Sequence, residues 1–165
     1  MALMKALKFA QKPYAIVCIF RLSFPLLKSA GGLVSESKVL YAGLGMTWKE
    51  QKLEWHCKNG SIIKFYALPA DLSELQGQAY THTILDEGAE FQLQDILAIR
   101  GRMRSGRYQG KMSMLITANP SRQSWLYPWL KSCDFLDDEG IPKEGTENIT
   151  KSYIILNSKI FWGNS

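Results

Sequence analysis

The sequence predicts an α/β domain built on a mostly parallel sheet flanked by helices. Three short apolar runs, 14–20, 81–85 and 112–117, are partly β-branched and suit strands buried on both faces. Ahead of the first run, and between the second and third, lie stretches with helical composition or periodicity, 2–10 and 92–103. Strands alternating with helices point to an α/β sheet.

Each element has its own signal. Residues 2–10 are rich in good helix formers and have no N-cap ahead of them, so they read as the body of a helix. Residues 24–30 predict a short helix ended by Gly31-Gly32. Residues 53–58 and 61–68 flank Asn59-Gly60, the pair that supplies two positive-φ positions, and predict a β-hairpin insertion. Trp55, Cys57, Ile63 and Phe65 would form its core face. In 92–103, Leu93, Ile96, Leu97 and Arg100 fall on one helical stripe. Strand 112–117 is stopped by Asn119-Pro120, and 125–130 predicts a short helix broken by Pro128. Residues 134–147 are polar, acidic and carry Gly and Pro, which predicts a linker, and 151–156 is a final strand candidate. The expected division is a core over 1–133, then a linker and the start of a following segment over 134–165.

At 165 residues the chain fits one domain able to bury a substantial core. With 46% apolar and 21% charged residues, disorder is excluded as its main state. A formal charge of +5 is compatible with a nucleic-acid or nucleotide partner without requiring one. Cys18, Cys57 and Cys133 are dispersed and odd in number, and neither they nor His56 and His82 have metal-ligand spacing. Reduced core cysteines are expected. The longest apolar run is too short to cross a bilayer, and no leader with a cleavage site opens the chain. A cytosolic protein is expected, with the sequon at Asn148-Ile149-Thr150 fortuitous.

Chemistry concentrates where the apolar runs stop. Thr83-Ile84-Leu85-Asp86-Glu87 is an apolar strand ending in two adjacent acids, the Walker B arrangement. At the carboxyl end of a parallel strand, Asp86 can hold Mg²⁺, usually through water, and Glu87 can orient or deprotonate an attacking water. A solvated turn or helix start, where the dipole favours acids, is the plainer alternative. Met114-Leu115-Ile116-Thr117-Ala118-Asn119-Pro120 is a second apolar strand with a polar tip, about thirty residues on. Thr117 and Asn119 can hydrogen-bond a phosphate or a water, or can mark a plain strand exit. Both tips are expected in one crevice, and placement at opposite edges would remove the reading. Arg100, Arg102, Arg104 and Arg107 lie within eight positions with no acid among them. They suit nucleic-acid or nucleotide phosphates, or else a solvated basic helix end. Trp125, Tyr127 and Trp129 suit base stacking or, more ordinarily, core anchoring.

Together these residues resemble the ATPase domain of phage terminase large subunits. The resemblance runs through Gln76-Gly77-Gln78-Ala79-Tyr80-Thr81-His82, Asp86-Glu87, Phe91, Arg102-Met103-Arg104-Ser105 and Thr117-Ala118-Asn119-Pro120. It extends upstream through Ala6-Leu7-Lys8-Phe9-Ala10, Ile19-Phe20-Arg21, Gly31-Gly32-Leu33, Tyr41, Gly45 and Asn59-Gly60, and downstream to Asp138-Glu139-Gly140-Ile141-Pro142. It implies a P-loop NTPase core of the additional-strand type, working on ATP with Mg²⁺. A ring of copies would pump double-stranded DNA into a procapsid, with a portal protein and a small terminase subunit as partners, in the host cytoplasm. Asp86 would be the metal-associated acid, Glu87 the catalytic carboxylate, and Thr117-Ala118-Asn119 the coupling motif. The family's phosphate loop precedes the helix corresponding to 4–10, and no G-x-x-x-x-G-K-[ST] occurs in this sequence. The family's nuclease domain has no counterpart here either. The chain therefore reads as a partial ATPase core, weak or inactive alone. Gln76 stands near the family's arginine-finger position, so no finger is assigned, with Arg21 as an alternative. The competing readings are a helicase-like ATPase fragment and a non-catalytic DNA-binding or motor-docking module.

Overall fold

The computed structural model describes residues 1–68, 75, 77, 79–118 and 125–128, with the backbone of Ile155–Leu156 and Lys159–Ile160. Its centre is a six-stranded sheet ordered β2-β3-β4-β1-β5-β6. The strands are β1 (Ile16–Arg21), β2 (Thr47–Lys49), β3 (Glu54–His56), β4 (Ile62–Ala67), β5 (His82–Leu85) and β6 (Ser113–Ile116). β4, β1, β5 and β6 run parallel, while β2 and β3 are antiparallel additions. The expected mostly parallel sheet is present.

Period-two alternation explains why the parallel strands carry apolar residues throughout. Val17, Ile19, Ile63, Phe65, Ile84 and Leu115 enter one core, and Cys18, Phe20 and Leu85 enter the other, with Ile16, Tyr66, Met114 and Ile116 packed against it. The first face is covered by α1 (Ala2–Ala10), α2 (Phe24–Lys28) and α3 (Leu33–Leu40), which bury Ala2, Leu3, Ala6, Ala10, Leu27, Leu33 and Val34. α4 (Leu93–Arg100) contributes Ile96 and Ile99 to the second.

Four details differ from the sequence expectation. The first strand begins at Ile16, because Tyr14 adopts φ 60° and turns the chain after α1. α3 and β2 are unexpected. Gly31 at φ 80° and Gly32, where a Cβ would lie 2.7 Å from the Leu26 and Leu27 carbonyl oxygens, make the corner that launches α3. The hairpin joins the main sheet through β4, which pairs with β3 on one side and β1 on the other. Finally, α4 stops at Gly101 and turns its Ile96 and Ile99 inward, leaving Leu93 and Leu97 exposed. Phe91, Ile96 and Ile99 complete the buried cluster, so the stripe is rotated from that expected.

The candidate helix end at Trp129, Cys133, the linker 134–147 and the first part of 151–156 lie outside the described residues. Ile155–Leu156 pairs antiparallel with Lys159–Ile160. Among the described residues, no helix is long and apolar enough to cross a membrane.

Candidate functional site

Register decides which side chains meet. Phe20 pairs with Leu85, and Leu85 with Ile116, so Arg21, Asp86 and Thr117 are the next residues on three adjacent parallel strands. Two backbone bonds extend the alignment: Asp86 N–H donates to the Phe20 carbonyl at 2.9 Å, and Thr117 N–H to the Leu85 carbonyl at 2.9 Å. This is the carboxyl edge of the sheet, where parallel α/β folds place ligands.

At that edge the Asp86 carboxylate is engaged from both sides. The Thr117 hydroxyl donates to its Oδ1 at 2.9 Å, and Arg21 Nη1 to its Oδ2 at 2.8 Å. The ion pair is mostly buried, with side-chain exposures of 21% for Arg21 and 16% for Asp86. A charge-assisted bond in such a place is stronger than a surface pair. Arg21 Nε is buried with no described partner. Arg21 thus pairs within its own site.

Glu87 follows in the left-handed conformation, φ 58° and ψ 47°, at the start of a 3₁₀ turn over Gly88–Glu90. A non-glycine residue there is strained, and such strain gathers at functional sites. Two contacts maintain it: Gly88 N–H donates to the Thr117 carbonyl at 2.7 Å, and Gly88 packs against Ile116. Glu87 is half-buried, and among the described residues its carboxylate has no hydrogen bond or ion pair. A fixed backbone with an unengaged carboxylate can hold a water in one orientation.

The arginines gather elsewhere. Met103 bridges Tyr80, and Arg104 N–H donates to the Tyr80 carbonyl at 2.8 Å. Tyr80 precedes Asp86 by six extended residues, about 20 Å of strand, so this segment lies at the amino end of β5. Arg100 and Arg104 are exposed there. Arg102 is half-buried and donates from Nε to the Leu75 carbonyl at 3.1 Å and from Nη1 to the Ala98 carbonyl at 3.0 Å. Asn119 and Gln76 lie outside the described residues. Trp125 and Tyr127 are half-buried and pack near Leu126 and Ala118. Among the described residues, no group of three or more His, Cys, Asp or Glu side chains is placed to hold a metal. Any cation at this edge would meet one tethered carboxylate and the neighbouring Thr117 hydroxyl, a hard-oxygen set, with the Arg21 guanidinium already bonded to that carboxylate. The Arg21 guanidinium already marks the place as one that stabilises positive charge.

Sequence reasoning missed the Arg21–Asp86 pair. Its signal was a charged residue ending a third apolar strand, but only register reveals which acid it meets.

The family model for the N-terminal part of the terminase large subunit, T4likevirus type, matches residues 10–160. Among solved structures, the large terminase of a thermophilic bacteriophage aligns with a TM-score of 0.63 at 11% identity. That alignment covers 94% of this chain and 36% of the terminase, so the chain spans about a third of that protein's length. No curated protein matches the sequence. The fold likeness agrees with the family match, and this chain belongs to the terminase large-subunit family.

Proposed function

We propose that this domain is part of the ATPase motor that drives double-stranded DNA into a procapsid. One observation carries the reading: Thr117 is bonded to Asp86 at adjacent strand tips, next in sequence to Glu87, whose carboxylate has no partner among the described residues. In this reading Asp86 holds Mg²⁺, which would offset charge on the ATP phosphates. Glu87, fixed in its left-handed turn, orients the attacking water and accepts its proton. Thr117 and Asn119 respond to the phosphate state. The hydroxyl of Thr117 already touches Asp86, so a change at the carboxylate passes directly to β6. Arg100 and Arg104, at the other end of β5, are free to contact DNA phosphates, while Arg102 mainly braces its own segment. The portal protein, the small terminase subunit and further copies in a ring would be the partners, in the host cytoplasm.

The sequence contains no G-x-x-x-x-G-K-[ST] to cradle β and γ phosphates. The chain alone should therefore bind ATP poorly and turn it over negligibly. Supplying a strand and phosphate loop from a family member ahead of α1 should produce metal-dependent hydrolysis. Glu87→Gln should lower that rate by roughly 10²-fold or more. Hydrolysis indifferent to both Glu87→Gln and Asp86→Ala would refute the assignment. Turnover by the unmodified chain that Glu87→Gln abolishes would show instead that the loop is dispensable.

A further inference from the structure

We infer that Arg21 is a built-in counter-cation for Asp86, and that a divalent cation reaches this carboxylate only as the guanidinium leaves it. The inference rests on the reading of Asp86 as a metal-associated acid and adds how access to it is controlled. Both Asp86 oxygens are engaged, Oδ1 by Thr117 and Oδ2 by Arg21. Arginine cannot lose its proton at any working pH, so the site cannot shed this charge by titration. It can only move the side chain. A divalent ion arriving beside a fixed guanidinium would be repelled, and in a mostly buried setting solvent screens that repulsion weakly.

The bond holding Arg21 is also incomplete. Nη1 alone reaches the carboxylate, the pairing is not a two-bond fork, and Nε is buried without an acceptor among the described residues. A guanidinium with unused donors at the carboxyl edge of a parallel sheet suits an incoming phosphate oxygen. The ligand class is therefore a divalent cation accompanied by a phosphate group. The cation takes over Asp86, and Arg21 moves to the phosphate. Arg21 is thus a positioning residue, acting on the metal site through its occupancy of Asp86. The competing role is a permanent staple between β1 and β5.

Mn²⁺ binding to the full chain, measured by electron paramagnetic resonance, separates the two. Arg21→Gln should bind Mn²⁺ on the order of tenfold tighter than the wild type. Arg21→Lys, which keeps the charge, should not, and adding Asp86→Asn to Arg21→Gln should abolish the gain. Equal affinities in wild type and Arg21→Gln, with Asp86→Asn still weakening both, would overturn the counter-cation role and leave the metal assignment intact. A gain that persists without Asp86, or no Mn²⁺ binding by any variant, would overturn both. Arg21→Met keeps the apolar stem and serves as a second uncharged variant. If near-ultraviolet circular dichroism shows both uncharged variants unfolded, Arg21 is a staple and the inference fails.

Discussion

At the scale of single residues, the geometry of the carboxyl edge depends on a position with no side chain. A Cβ built on Gly88 would lie 2.2 Å from Ile116 Cγ2, on a turn whose amide is already bonded to the Thr117 carbonyl. Gly88→Ala must push β6 away or move Glu87 out of its left-handed turn. Overpacking of this kind costs about 1–3 kcal/mol, which urea denaturation would read as a lowered midpoint with an unchanged slope. An unchanged midpoint would mean that the turn is soft and does not fix Glu87. Asp86 and Thr117 were legible in the sequence because each ends an apolar run, and the ends of parallel strands converge. Arg21 was not, since its partner depends on a register that no local pattern encodes. The left-handed turn at Glu87 was equally hidden, because it results from the packing of Gly88 on β6.

At the scale of elements, the hairpin turn does more than reverse the chain. Asn59 Nδ2 donates to the Ala10 carbonyl at 2.8 Å and the Gln11 carbonyl at 3.1 Å, while its Oδ1 accepts from Ser61 N–H at 3.0 Å. These are carbonyls at the end of α1 that have no partner further along the helix. One side chain thus ties the β3–β4 turn to the helix packed on β1. Asn59→Ala should destabilise the fold by about 1–3 kcal/mol through unmet polar groups, detectable as a drop in melting temperature. A loss no larger than that of an exposed surface substitution would mean that water replaces the bonds. Asn-Gly marked this turn in the sequence, but its contact with α1 spans 48–49 positions and left no local trace. The same limit hid α3 and β2. α3 carries two serines among eight residues, and Ser37 is buried because it donates to the Val34 carbonyl at 2.7 Å and accepts from Trp55 Nε1 at 3.0 Å. β2 has three residues and is defined by Trp48 packing on Trp55. Tertiary partners make both elements, and composition alone does not.

At the scale of the whole molecule, one buried histidine joins segments from both halves of the chain. His82 opens β5, stacks on Phe9 of α1 at 4.2 Å, and shares hydrogen bonds with Ser113 of β6 at 2.8 Å and Tyr108 at 3.0 Å. Burial, assisted by the positive charge of Lys12, lowers its pKa from 6.5 to about 4. The folded state therefore holds this imidazole neutral across a range in which the unfolded chain would protonate it. Between pH 6.5 and about 4 the unfolded state binds more protons, so stability falls as pH falls through that window and is fully present above it. His82→Phe preserves the stack on Phe9 and removes the titration while losing the two hydrogen bonds. It should be less stable than the wild type near pH 7, and the gap should narrow as pH is lowered toward 5, as the wild type alone loses the histidine contribution. Paired urea titrations across that range subtract the carboxylates common to both proteins. A gap that stays constant with pH would mean that His82 has the same proton affinity in the fold as in the unfolded chain, and that burial does not hold it neutral.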